Sequence, residues 1–151
     1  RDHVLGDIYH SQLVEVGPPN ASIDFSSSNE EAYFRSIKNY QGFKAKHASR
    51  PKVIYAGSNS GMLHAICAED LGSSLCEGGE ELWGFVPPFI ASVIPEIINP
   101  DYDGAVDGKG GTNAIFGVDG SPVVHDVFIK GYDSSGALEG QKNWHTIFYA
   151  L

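Results

Sequence analysis

Basic side chains are scarce in this chain: 10 Lys and Arg stand against 19 Asp and Glu in 151 residues, a net charge of −9. A surface made for phosphate backbones needs clustered cations, so nucleic acid is excluded as a partner. Long apolar runs are missing too. No stretch approaches the roughly 18 uninterrupted apolar residues of a spanning helix, which excludes a helical membrane span. Only two cysteines occur, so Cys67 and Cys76 are the sole possible disulfide pair. Gly72, Ser73 and Ser74 lie between them. A bridge across a hairpin, implying an oxidising compartment, and two free or buried thiols both fit that spacing. What is plentiful is glycine, 18 residues, with 11% aromatics and 42% apolar residues overall. That mixture favours many short strands joined by tight turns around a core, so a mainly β fold is expected.

Residues 12–16 alternate as a strand and stop at Gly17-Pro18-Pro19, where two prolines remove backbone donors. Ser28 and Glu31 have the spacing of a capping box. An amphipathic helix over about residues 29–40 follows, with Tyr33, Phe34, Ile37 and Tyr40 on its buried face. Residues 42–52 carry Lys44, Lys46, His47, Arg50 and Lys52 and read as a solvated loop. In so acidic a chain this cluster is also a candidate contact for a partner or glycan.

The β signal is strongest after Pro51. Residues 53–57 form a β-branched and aromatic run, Ser58-Asn59-Ser60-Gly61 is a turn, and residues 62–68 return as a second strand. A third strand, residues 81–86, completes a meander that Pro87-Pro88 stops. Residues 89–98, with Pro95 inside, suit a short broken helix. Further strands are expected over 114–118, 123–129 and 144–151, with a turn at Asp119-Gly120-Ser121-Pro122. Repeated meanders build propeller blades and sandwiches, and each needs neighbours to cover its faces and edges. Arg1 in first place and the apolar run at Ala150-Leu151 add to the expectation of a piece of a larger protein.

The block Val53-Ile54-Tyr55-Ala56-Gly57-Ser58-Asn59-Ser60-Gly61-Met62-Leu63-His64-Ala65, followed by Glu80-Glu81-Leu82-Trp83-Gly84-Phe85-Val86-Pro87-Pro88, resembles the PilY family of type IV pilus tip-associated adhesins. Leu5-Gly6-Asp7-Ile8-Tyr9-His10-Ser11, Val118-Asp119-Gly120-Ser121-Pro122-Val123-Val124 and Trp144-His145-Thr146-Ile147 agree in order. The resemblance implies a partial β-propeller. Residues 1–151 would be one fragment of a larger propeller domain, about two blades after a lead-in segment 1–50. It further implies a secreted, non-enzymatic protein that crosses the periplasm, acts at the pilus tip on the cell surface, primes pilus assembly and contributes to attachment. Its implied partners are minor pilins or other pilus-tip proteins and a host or surface ligand. The Gly61-Met62-Leu63-His64-Ala65 and Leu82-Trp83 elements also resemble blades of quinoprotein dehydrogenases, in which Trp83 would dock on the next blade. A quinone site, however, draws charged ligands from many blades. A structural subunit of an extracellular fibre is the third reading.

For metal chemistry the best candidate is Asn99, Asp101, Asp103 and Asp107, oxygen donors at positions 1, 3, 5 and 9 of a loop with Gly104 at position 6. Calcium takes six to eight hard oxygens, and alternate donors around a turn provide them. Position 12 is Gly110, so the closing bidentate Glu is missing; weak calcium binding and an acidic turn that is merely solvated both fit the loop. Gly108-Lys109-Gly110-Gly111-Thr112 lacks P-loop spacing. His10, His64, His125 and His145 are dispersed along strands without zinc spacing and are expected to donate to backbone groups. His125 and Asp126 point to opposite faces of a strand. No Ser-His-Asp arrangement is expected, and Ser121 lacks the second glycine of a nucleophile elbow.

Overall fold

The computed structural model describes residues 8–25, 29–70, 76–93, 117–118 and 120–149. Nine elements follow one another among them: β1 (Val14–Val16), α1 (Glu30–Ile37), α2 (Tyr40–Lys46), β2 (Val53–Gly57), β3 (Leu63–Cys67), β4 (Glu81–Phe85), α3 (Pro88–Ala91), β5 (Val123–Ile129) and β6 (Asn143–Tyr149). The expected mainly β class is present, as one four-stranded and one two-stranded sheet with short helices. No closed propeller forms among the described residues. The chain clusters into two units, one from Arg1–Val16, Lys52–Val123 and Tyr149–Leu151, the other from Gly17–Pro51 and Val124–Phe148.

In the first unit, β1-β2-β3-β4 is an antiparallel sheet whose last three strands form the expected meander. The β2–β3 turn closes because Gly61, at φ 80°, takes the left-handed conformation that a side chain disfavours. Ser58 N–H then donates to Met62 O at 2.9 Å, and Gly61 N–H to Ser58 O at 3.0 Å. Ala56, Leu63, Ala65, Cys67, Cys76, Ile90 and Val118 are the buried apolar residues. Gly57 must be glycine here, since a Cβ would sit 2.1 Å from the carbonyl oxygen of Val118. Cys67 and Cys76 are joined as a disulfide, resolving the alternative left by their spacing. At the far side of the sheet β4 leaves Leu82, Trp83 and Phe85 exposed, so among the described residues the meander has an uncovered edge strand. Trp83 tilts against Tyr55, ring centroids 5.8 Å apart.

The second unit departs from the sequence expectation. The single helix over 29–40 is two helices, broken at Asn39, whose φ of 54° is left-handed. Asparagine tolerates that conformation, and its side chain caps α2 by accepting from Gly42 N–H. Residues 42–46, read as solvated loop, are therefore helical. The N-cap of α1 is Asn29, which accepts from Ala32 N–H at 3.0 Å; Ser28 lies outside the described residues. The expected apolar face is also revised. Tyr40 is fully buried, but Tyr33, Phe34 and Ile37 stay about half exposed and Ala32 is the buried residue of α1. Residues 123–129 and 143–149 form β5 and β6 as expected. Of the strand expected over 114–118, only 117–118 are described, and they form a bend.

Candidate functional site

Two polar constellations stand out, one in each unit. In the first unit His64, with no exposed surface, lies between Ser58 and Glu81. Its Nδ1 is 2.7 Å from Glu81 Oε1 and its Nε2 is 3.1 Å from Ser58 Oγ. A carboxylate only accepts, so Nδ1 carries the proton and Nε2 faces the hydroxyl. A Ser-His-Glu array was not expected from the sequence, nor were side-chain partners for His64. The cause is a bulge: pairing runs His64↔Gly84 and Ala65↔Trp83 but then Ile66↔Glu81. Without that shift Glu81 would oppose Cys67, on the core face; the one-residue slip turns it to the face of His64. Ser58 is 1% exposed and also contacts Met62 O and Ser60 Oγ. The hydroxyl is sealed from solvent, and the array joins turn, β3 and β4 as a polar strut.

In the second unit β5, β6 and the two helices meet around aromatic rings. Trp144 contacts Tyr40 edge-on at 4.8 Å and Phe128 at 5.4 Å. Its Nε1–H donates to Lys38 O at 2.8 Å, satisfying a carbonyl past the end of α1. Below the rings, Asp126 accepts from Tyr40 OH with one oxygen and from Thr146 Oγ1 with the other, at 2.6 Å. Arg50 donates to Thr146 Oγ1 at 2.8 Å and clamps Gly17 O.

Burial, with the hydrogen bond to Asp126 and its charge, pushes the Tyr40 phenol from 10.0 up to about 12. The folded state prefers the neutral phenol, so this contribution is complete below pH 10 and is lost as pH rises towards 12. Its size is on the order of 3 kcal/mol, at 1.36 kcal/mol for each pH unit. Urea titrations at pH 9 and pH 11.5 should show a loss of that order that Tyr40→Phe largely lacks. Equal alkaline losses in both proteins would refute the assignment.

An open cleft of about 690 Å³ lies over this network, with Phe43, Phe128 and Trp144 among its walls. Lys38, Lys46, Arg50 and Lys142 bring positive charge to it. Burial, then Lys46 and Arg50, hold the His47 imidazole below its ordinary 6.5, so it faces the cleft uncharged at neutral pH. The one carboxylate in the lining among the described residues, Glu139, is engaged: Oε2 accepts from Gly131 N–H at 3.1 Å and from His145 Nε2 at 2.9 Å. The Gly131 N–H first, with the His145 and Asn143 side chains, holds its carboxyl below the usual range. The arrangement suits binding of an anion beside a flat apolar group.

Similarity extends along nearly the whole chain. It is 33% identical over 102 residues, 68% of its length, to the type IV pilus biogenesis factor PilY1 homolog of Xylella fastidiosa strain Temecula1, and covers 7% of that protein. It is 31% identical over 147 residues, 97% of its length, to type IV pilus biogenesis factor PilY1 of Pseudomonas aeruginosa strain UCBPP-PA14, and covers 10% of that protein. The chain is PilY1-like. It spans a tenth or less of the length of these curated relatives. No protein-family model matches it, and no solved structure does.

In this PilY1-like segment, the two longest blocks that carry the resemblance are the β2–β3 hairpin and β4 with the Pro87-Pro88 stop that opens α3. Of the basic cluster, Lys46, His47 and Arg50 line the cleft, whereas Lys52 belongs to the other unit and pairs with Glu15 at 3.1 Å. His145 bonds a side chain, not backbone as expected. His125 is exposed on β5 while Asp126 turns to the network, so the two do face apart. His10 packs edge-on against Tyr9. Ser121 Oγ accepts from Gln12 N–H and ties the turn to the start of the chain. Asn99, Asp101, Asp103 and Asp107 lie outside the described residues, as do residues 108–112. Among the described residues no group of three or more His, Cys, Asp or Glu is placed to hold a metal. None of their helices is long and apolar enough to cross a membrane.

Proposed function

We propose that this chain is a non-catalytic part of a secreted type IV pilus tip protein that primes pilus assembly and contributes to surface attachment. The observation that carries the reading is the 31% identity, over 97% of the chain, to a protein named for type IV pilus biogenesis. The residues add a physical rationale. The Ser-His-Glu strut is sealed, whereas the open cleft presents charges and rings suited to holding a partner. Minor pilins or other pilus-tip proteins are the proposed assembly partners. The test is made in the intact protein in its own host, with Gly57→Val used to unfold the first unit through the Val118 contact. Surface piliation should fall severely. Pili of normal number, with the variant confirmed as misfolded, would refute the assembly role.

Calcium at Asn99, Asp101, Asp103 and Asp107 is a separate proposal, supported by their alternation around a glycine turn. Calorimetry of the intact protein should give a binding heat that shrinks by one site in Asp101→Ala with Asp103→Ala; an unchanged stoichiometry would sink it.

A further inference from the structure

We propose that the cleft lined by α2 and the β5–β6 sheet is a binding site for a carboxylated saccharide. The inference rests on the cleft alone and not on the pilus reading.

Charge is the first argument. The chain carries −9 overall, yet Lys38, Lys46, Arg50 and Lys142 line one cleft whose only carboxylate, among the described residues, is already hydrogen-bonded. The cations are not equivalent. Arg50 is committed to Gly17 and Thr146, and the Lys38 ammonium lies over the rings of Phe34 and Phe128, at 5.9 and 5.7 Å. Lys46 and Lys142 are exposed, and among the described residues neither makes an ion pair. Two ammonium groups are therefore available to an incoming carboxylate.

The walls decide the rest of the ligand. Phe43, Phe128 and Trp144 offer ring surface, which takes an apolar face; the C–H face of a pyranose is one, and its hydroxyls then point to the rim. Asn39 and Asn143 stand among the lining residues; with the Asn39 oxygen capping α2 and the Asn143 amide donating to Glu139, the Asn39 N–H groups and the Asn143 oxygen are left for hydroxyls. A volume of about 690 Å³ is within the range of small-ligand sites and leaves room for more than one sugar ring. An acidic peptide satisfies the lysines but has fewer flat C–H faces to set on the rings.

The probes are digalacturonate, neutral digalactose and tetraglutamate, titrated calorimetrically into the intact protein at low salt. Digalacturonate should bind saturably and at least tenfold more tightly than either other probe. Lys46→Gln with Lys142→Gln should weaken it at least tenfold at an unchanged melting temperature, and Lys130→Gln, outside the cleft lining, should leave it unchanged. Absence of binding, equal binding of the neutral sugar, or an unaffected double variant would overturn the proposal. Tighter binding of tetraglutamate would overturn it in favour of an acidic peptide. Because piliation is not the readout, failure here leaves the assembly role standing, and failure of the assembly test leaves this one standing.

Discussion

His64→Ala should lower the stability of the first unit by about 3 kcal/mol, read from urea unfolding at neutral pH. Three losses add up. The side chain is fully buried, so its removal leaves a cavity inside the sheet. Ser58 loses one neighbour but retains Met62 O and Ser60, which limits the cost at that end. Glu81 loses its imidazole partner while its side chain is only 19% exposed, and a carboxylate held there without a donor is the costliest of the three. Glu81→Gln keeps an acceptor facing Nδ1 and should cost about 1 kcal/mol. The order of the two variants separates a strut from a filler. If His64→Ala cost no more than Glu81→Gln, the imidazole would not be holding turn and strand together.

That strut marks where sequence reading reaches and where it stops. β2, β3 and β4 were legible because their signals are local: β-branched runs, a Ser-Asn-Ser-Gly turn and a Pro-Pro stop lie within a few residues of what they specify. The bulge between Ala65 and Ile66 has no such signal. It decides which face Glu81 occupies, and with it whether a triad-like array exists at all. The same holds in the second unit. Tyr40 looked like the end of a buried helix face, but its burial depends on Asp126, 86 residues away, and Arg50 is fixed by Thr146, 96 residues away. Lys46 and Arg50 read as part of a solvated charge run because nothing nearby announces that they share a cleft with the rings of Phe128 and Trp144. Only the helix break at Asn39 had a local cause that could have been noticed, since asparagine is among the few residues at ease in the left-handed conformation.

Opening the Cys67–Cys76 disulfide, by Cys67→Ser with Cys76→Ser, should cost the first unit about 2.7 kcal/mol. The bridge closes a short loop, with nine positions separating its cysteines, and the chain-entropy relation gives that figure for a ring of about ten residues. The backbone explains why the variant should still fold. Gly79 N–H donates to Cys67 O at 2.8 Å and Cys67 N–H to Glu80 O at 2.9 Å, while Asp70 accepts from Gly78 N–H at 2.7 Å. These bonds bring residues 78–80 back beside the end of β3 without help from sulfur, so the bridge acts mainly by restricting the unfolded chain. Thermal melts with and without dithiothreitol should differ by roughly 6–10 °C in the native protein and not at all in the double variant. The His64 effect should persist in the Cys-to-Ser background, because one interaction acts in the folded sheet and the other on the unfolded chain. A reductant shift below about 2 °C would mean that the backbone bonds alone hold the loop and that the disulfide adds little.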